Sequence, residues 1–388
     1  MFRMGEAEVE AVRRVLMSHQ LFRIGGEYQE VTNFEKEFRE KMGAKYCLCM
    51  SSGTGALTAA LAALGVGPGD EVIVPGYTFI ATAIAALSVG AIPVVAEINE
   101  TMTLDMDDVE RKLTKNTKAV IPVHIQGYPC DMARLMALKE KYGFYVVEDA
   151  CQADGGSFQG KRLGTIGDCG AYSFNYFKII SAGEGGAMVT NKEELCQRAI
   201  IYHDCGSVFW PYETPITEPL YSGTNMRVSE ITGAIMRVQL TRLDDILADL
   251  RRVKRTIMEG VADLPMLRPN PSNDIEGDCG VCLPFIFDDV ATAEKFEKAI
   301  GGTRPINTGK HVYREWTPIL EQRGAHNSAL NPYQNPANAH LRLETRADSC
   351  PKTLDLLSRT VYHGIHCDWD EATISQAIDK IRAAAKSL

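Results

Sequence analysis

Two kinds of apolar spacing alternate along this chain. From Tyr46 to Thr190, short runs that are apolar on both faces ("YCLCMS", "EVIVP", "IPVVAEI", "AVIPVHI", "FYVVED", "GAYSFN", "GAMVTN") are separated by stretches with helical spacing, among them "TGALTAALAAL" and "DMARLMALKEKYG". A run without a polar face predicts a strand buried on both sides. Helices between such strands predict an α/β fold, a mostly parallel central sheet with helices on both faces. Sheets of this kind bind ligands at the carboxyl ends of their strands. A long amphipathic helix is predicted from Ser229 to Val261, and the prolines of "DLPMLRPNPSND" mark a boundary after it. Beyond lie a strand signal in "VCLPFIF", a polar loop from Ala325 to His340, and two helical patterns, "CPKTLDLLSRTV" and "DEATISQAIDKIRAAAKSL". The organisation expected is an N-terminal segment over 1–35 whose helix packs with the small domain, a large ligand-binding domain over 36–262, and a smaller α+β C-terminal domain over 263–388.

Composition narrows the function. The chain has 388 residues, 45% hydrophobic and 23% charged, with a net charge of −9. That length suits two domains around sizeable cores. An acidic chain with scattered Lys and Arg has no footprint for nucleic acid and does not attract anionic membranes. A local basic cluster can still grip a small anionic substrate. No apolar run approaches the ~20 residues that span a bilayer, and "MFRMGEAEVEAVRRVLMS" lacks a secretory apolar core, so a cytoplasmic protein is expected. The 11 cysteines are dispersed, as expected of reduced thiols. The lone "CGVC", Cys279 to Cys282, lacks the second pair of a zinc site and reads as a strand with two buried thiols.

Three stretches carry candidate chemistry. In "SSGTGALTAALAALGVGPGDEV", Ser51 to Thr54 precede a helix with apolar positions at Leu57, Leu61 and Leu64. Free N–H groups, a hydroxyl and the helix dipole make a phosphate cradle there, or more plainly an N-cap. In "FYVVEDACQADGG", an apolar strand ends in Glu148 and Asp149. An acid at that position can hold a metal, orient a ribose, pair with a protonated ring nitrogen, or cap the next helix. No second acid/His cluster with ligand spacing follows, so no metal is expected. In "AYSFNYFKIISAGEGGAMVTN", one lysine, Lys178, stands among aromatic and aliphatic residues. Desolvation disfavours its ammonium form and makes a nucleophilic amine suited to Schiff-base chemistry; the plainer reading is a lysine that snorkels to water. Cradle, acid and lysine, in that order on successive strand ends, suit pyridoxal phosphate. A dinucleotide site would want GxGxxG after the first strand, and "GEGGA" lies after the lysine.

The same residues carry a resemblance. The strings "FEKEFREKMGAKYCLCMSSGTGALTAAL", "GPGDEVIVPGYTFIATA", "TKAVIPVHIQGYPCDM", "VVEDACQADGGSFQGKRLGTIGDCGAYSF", "GEGGAMVTN" and "GTNMRVSEITGAIMRVQL" resemble the DegT/DnrJ/StrS family of pyridoxal-phosphate aminotransferases, which act on keto sugars and cyclitols. The resemblance covers nearly the whole chain and implies the type I aminotransferase fold, a homodimer and pyridoxal 5'-phosphate as cofactor. It assigns Lys178 as the Schiff-base lysine and Asp149 as the acid facing the ring nitrogen. It places Gln152 on the ring hydroxyl and Phe79 on the ring face, with Gly53, Thr54 and Ser173 on the phosphate. Asn225, in "GTNMR", resembles the residue that the other subunit lends to the phosphate, which implies active sites shared across the interface. Many members have His where this chain has Asp154 and Asn175, and Asn where it has Ile179.

The implied reaction moves an amino group from glutamate or glutamine to a keto sugar, with a nucleotide-linked one favoured over a cyclitol or sugar acid. Arg304, Lys310, His311 and Arg314 in "TRPINTGKHVYREW" are candidates to grip a carboxylate or diphosphate. His124 reads as a packed histidine. Rival readings are a pyridoxal-phosphate sugar dehydratase, whose family members replace the lysine by histidine, and a regulator that keeps the fold without catalysis.

Overall fold

The computed structural model describes residues 2–206, 209 and 211–388. Strands β1 (Tyr46–Met50), β2 (Glu71–Pro75), β3 (Ile92–Ala96), β4 (Thr117–Val120) and β5 (Tyr145–Asp149) precede a small hairpin, β6 (Ser157–Phe158) and β7 (Lys161–Arg162). Strands β8 (Cys169–Ser173) and β9 (Gly186–Thr190) follow, and β10 (Arg268–Pro269), β11 (Cys282–Ile286) and β12 (Thr360–Gly364) come late in the chain. The helices between them are α1 (Glu6–Ser18), α2 (Glu30–Met42), α3 (Gly53–Ala63), α4 (Ala81–Ser88), α5 (Met106–Lys112) and α6 (Met132–Tyr142). After them come α7 (Glu193–His203), α8 (Glu230–Val261), α9 (Val290–Ile300), α10 (Thr317–Leu320), α11 (Pro351–Ser358) and α12 (Glu371–Lys386).

The central sheet has seven strands in the order β1-β9-β8-β5-β4-β2-β3. Its pairs from β8 to β3 are parallel, and β9 runs antiparallel to both β8 and β1. Alternate residues feed two cores. Ile73, Val120, Val146, Ala187 and Val189 enter the layer that holds Phe34, Phe38 and the apolar stripe of α8. Val72, Val74, Ala119, Val147 and Met188 enter the layer that holds Leu57, Leu61, Ala85 and Ile200. With both faces covered, every strand reads as apolar throughout. A second, antiparallel sheet of three strands, β10-β11-β12, lies in the C-terminal part.

One expectation changes. The pattern "CPKTLDLLSRTV" is helical only to Ser358; Thr360 and Val361 begin β12, where β-branched residues pair with β11. Helix α1 packs along α8, with Ala11 and Val15 on Ala234. Arg3, ahead of it, bridges Asp249 of α8 and Asp368.

Buried charges lock these layers. Asp168 accepts from Val146 N–H at 2.8 Å and pairs with Lys139 at 2.6 Å and Lys192 at 3.0 Å. Burial works to raise its carboxyl, but these partners hold it below the usual range. A depressed carboxyl stabilises the fold above its unfolded value of about 4, and that stability fades as pH falls through the folded value. Asp168→Asn is therefore expected to lower stability by about 2–3 kcal/mol at pH 7. Urea melts at pH 7 and pH 3 should show the gap closing in acid; a gap independent of pH would refute the assignment.

Candidate active site

The carboxyl edge of the parallel strands gathers the candidate residues. After β1 the chain turns into α3, where Ser52 is the N-cap and its hydroxyl accepts from Gly55 N–H at 3.0 Å. The N–H groups of the next residues, Gly53 and Thr54, have no partner within the helix and carry its positive dipole end. Glycine is required at position 53. A Cβ there would come within 2.7 Å of Cys151 Sγ and 2.9 Å of Ser173 Cβ. Ser173, the last residue of β8, is buried. The segment bearing Asn225 passes beside this turn, because Ser51 N–H donates to Met226 O at 2.8 Å. Asn225 itself is exposed, and its Oδ1 accepts from Arg227 N–H at 3.1 Å.

The two acids that end β5 separate by strand alternation. Glu148 is fully buried and accepts from Gly164, Ile166 and Gly167 N–H at 2.6–2.8 Å. It also meets His124 Nε2 at 3.1 Å, and His124 Nδ1 accepts from Cys130 N–H. The network places the imidazole proton on Nε2 and makes His124 a packed residue. Asp149 is turned to the opposite face. Its Oδ2 accepts from the Thr82 hydroxyl at 2.8 Å, and its Oδ1 from Cys151 N–H at 3.2 Å. Thr82, on α4, was not singled out in the sequence; its spacing of four from Thr78, whose hydroxyl lies 2.7 Å away, is the signal that was there to find. Gln152, three residues past the acid, accepts from Gln126 N–H at 3.0 Å, and Gln126 takes the left-handed conformation to present it.

Lys178 lies in the turn between β8 and β9, half-buried, with its N–H donated to Asn175 O at 2.9 Å. Its surroundings are apolar on one side only. Ile179 and Ile180 are buried and anchor the turn, whereas Tyr176 and Phe177 are 62% and 74% exposed. The lysine therefore stands at the rim of the core.

The segment from Arg304 to Arg314 divides. It pairs with the loop after β2 through Thr78 N–H to His311 O at 3.0 Å and Ile80 N–H to Lys310 O at 3.0 Å. This brings the His311 ring to 5.4 Å from the ring of Phe79. Burial first, and then the field of Lys178, hold the His311 imidazole below its usual range, so it is neutral at pH 7. Lys310 and Arg314 are exposed. Arg304 points elsewhere: Glu294 and Glu297 each hold its guanidinium at 2.9 Å, and it donates to Ser358 O at 3.2 Å. The cationic grip expected of four residues keeps two, because one guanidinium is already paired and one imidazole is uncharged.

Pyridoxal phosphate fits this arrangement. The glycine at 53 lets a helix N-terminus pack against Cys151 and Ser173, a buried carboxylate ends β5 in the same sheet, and an amine sits in the β8–β9 turn.

Relatives agree with the geometry. The 3-amino-5-hydroxybenzoate synthase of Amycolatopsis mediterranei is 38% identical over 246 residues, 63% of this chain and 62% of its own length. The GDP-perosamine synthase of Caulobacter vibrioides is 39% identical over 228 residues, 58% of this chain and 59% of its own length. The match thus spans less than two thirds of either protein. Among solved structures, the aminotransferase from Psychrobacter cryohalolentis superposes with a TM-score of 0.80 at 29% identity, over 99% of this chain and 98% of that one. The model of the DegT/DnrJ/EryC1/StrS aminotransferase family matches residues 3–382, and the chain belongs to that family.

Proposed function

We propose that this chain is a pyridoxal-phosphate aminotransferase that moves an amino group from glutamate or glutamine to a nucleotide-linked keto sugar. The observation that carries the reading is the convergence of the Gly53 cradle, the Asp149 carboxylate and the Lys178 turn at one sheet edge. When bound, the cofactor supplies an aldehyde that condenses with amines and a ring that withdraws electrons from them. Gly53, Thr54 and Ser173 would hold its phosphate, and Asn225 from a second copy in a homodimer would complete that corner. Asp149, fixed by Thr82, would keep the ring nitrogen protonated. Gln152 would hold the ring hydroxyl, and Phe79 would cover one face. The Lys178 amine would take the proton from the donor's α-carbon and return it to the carbon on the far side of the amino nitrogen, acting first as base and then as acid. Lys310 and Arg314 would meet the charged part of the acceptor.

A second acceptor class has its own support. With Arg304 paired and His311 neutral, the segment beside Phe79 holds less positive charge than a diphosphate calls for. A cyclitol or a ring bearing one carboxylate suits it, and one relative is named for an aminated hydroxybenzoate. The test is a half-reaction screen. The enzyme is converted to its amino form with glutamate or glutamine, then offered nucleotide-linked keto sugars, cyclitol ketones and ring keto acids. Recovery of the aldehyde absorbance with a nucleotide-linked sugar is expected. Recovery with none of the three classes would sink the aminotransferase reading.

A further inference from the structure

The Asp149 carboxylate is reached through a chain of two hydroxyls. Thr78 and Thr82 flank the start of α4, and both are buried. The Thr82 hydroxyl has three neighbours: Asp149 Oδ2 at 2.8 Å, Phe79 O at 3.1 Å and Thr78 Oγ1 at 2.7 Å. A carboxylate and a peptide carbonyl only accept, so of these three Thr78 alone can donate to the Thr82 oxygen. Were Thr82 to give its proton to Thr78 instead, its lone pairs would face those of Asp149 across 2.8 Å. Thr78 has a poorer alternative in Phe79 O, 3.5 Å away. The order is therefore Thr78 to Thr82 to Asp149. In a buried chain each bond polarises the next, so a donor at Thr78 strengthens the bond that Thr82 makes.

The backbone of the same residue is tied to another part of the site. Residues 76–80 and 310–313 run side by side. Tyr313 N–H donates to Gly76 O, Thr78 N–H to His311 O and Ile80 N–H to Lys310 O, each at 3.0 Å, and Tyr77 is bridged to Val312. Thr78 thus holds the segment that carries Lys310 and His311 with its main chain, and the acid with its side chain.

We propose that Thr78 is a positioning residue that joins these two parts: its hydroxyl fixes the Thr82 proton on Asp149, and its N–H sets the 310–313 segment in register with that acid. No bond is made or broken in this role, and both hydroxyls keep their protons. Hydrogen bonds to a carboxylate favour its ionised form, so they favour leaving the shared proton on the ring nitrogen that the acid faces. With valine at 78 the backbone link persists. The Thr82 oxygen then lacks its donor, the Thr82 proton can turn to Phe79 O, and one of the two hydrogen bonds on Asp149 is loosened. The inference rests on the reading of Asp149 as the acid opposite the ring nitrogen.

Two measurements test it, the first without cofactor. In the full-length apoprotein, deuterated except at threonine, the Thr82 hydroxyl proton is identified by its absence in Thr82→Val. It should move upfield in Thr78→Val and return in Thr78→Ser; an unmoved resonance overturns the relay. In the loaded enzyme, ¹⁵N-labelled pyridoxal phosphate reports the protonation of its ring nitrogen. That resonance should move toward the unprotonated ring in Thr78→Val and back in Thr78→Ser, and no movement overturns the link to the acid. In Thr78→Val, kcat should fall about three- to tenfold, the worth of one buried hydrogen bond, with the acceptor KM within about twofold of the parent. A raised acceptor KM at unchanged kcat would give Thr78 a binding role instead and overturn the assignment. Thr78→Val combined with Thr82→Val should be no slower than Thr82→Val alone, because Thr78 acts through Thr82; additive losses would overturn the order of the chain. Should Thr78→Val not fold, Thr78→Ala strips the same hydroxyl and carries the same expectations. A Thr82 proton that responds as expected, in a protein that neither binds pyridoxal phosphate nor aminates an acceptor, would sink the transaminase reading and leave the relay intact, so the two failures are distinguishable.

Discussion

Lys178→Ala is expected to slow amino transfer by about 10⁴-fold or more while the protein folds and melts as before. The two halves of that expectation have separate grounds. The loss follows from chemistry: the amine is asked both to react with a carbonyl and to move a proton, and no other amine stands in the β8–β9 turn. The intact fold follows from packing. The turn is held by its neighbours, since Ile179 and Ile180 are buried and the Ser181 hydroxyl donates to Phe174 O at 3.2 Å. The lysine side chain is half-buried at the rim and leaves no deep cavity. Single-turnover rates with glutamate, beside a thermal melt, give both values. A variant within tenfold of the parent would remove Lys178 from the mechanism. A variant that fails to fold would show that the side chain supports the core instead.

Asp149→Asn should lower the rate by about 10²–10³-fold with little change in stability. The amide keeps an oxygen to accept from Cys151 N–H, its NH2 can donate to the Thr82 hydroxyl oxygen, and it keeps the shape that fills the end of β5. What it loses is the charge opposite the ring nitrogen. The backbone at this point is tied on both sides, with Asp149 N–H donated to Pro122 O at 2.9 Å and His124 N–H donated to Asp149 O at 3.0 Å. The variant therefore tests charge rather than position. Thr82→Val tests position: it strips one buried donor from the carboxylate and should cost about 1–2 kcal/mol, a roughly tenfold effect on kcat/KM. If Asp149→Asn stayed within a few-fold of the parent, the acid's assigned task would be wrong.

Much of the fold is legible in the chain because of one physical circumstance. Strands packed on both faces must be apolar throughout, so the central strands announce themselves as uninterrupted runs, and the glycines and prolines around them mark their ends. The long α8 is legible for a related reason: one apolar stripe, sustained over nine turns' worth of sequence, suits no other structure. Chemistry outside its usual setting is legible too. A lone lysine among aromatics and an acid at the end of an apolar run are both expensive unless they serve a purpose.

Other features depend on what comes near in space. Nothing in the local "YQEV" caps α2, whose N-cap Gln29 makes no side-chain bond; Glu230, from the start of α8, accepts from Glu30 and Val31 N–H at 2.5 and 3.1 Å. Arg304 looked available because its partners Glu294 and Glu297 sit on the preceding helix, and only the fold turns them toward it. His311 looked charged until burial and a distant lysine made it neutral. Thr360 and Val361 looked helical because the strand β11 that pairs them lies more than seventy residues earlier.

By itself, then, the order of residues determined the class of fold and the alternation of strands and helices, and it marked the acids after an apolar strand and the one amine in the glycine turn as candidates for chemistry. Those follow from periodicity and from the cost of burying charge, which act along the chain. The strand order, the turning of Asp149 and Glu148 to opposite faces, and the pairing that silences Arg304 were decided only in three dimensions. Each is a matter of how groups far apart in sequence meet in space, and electrostatic and hydrogen-bond energies depend on their distance, orientation and burial.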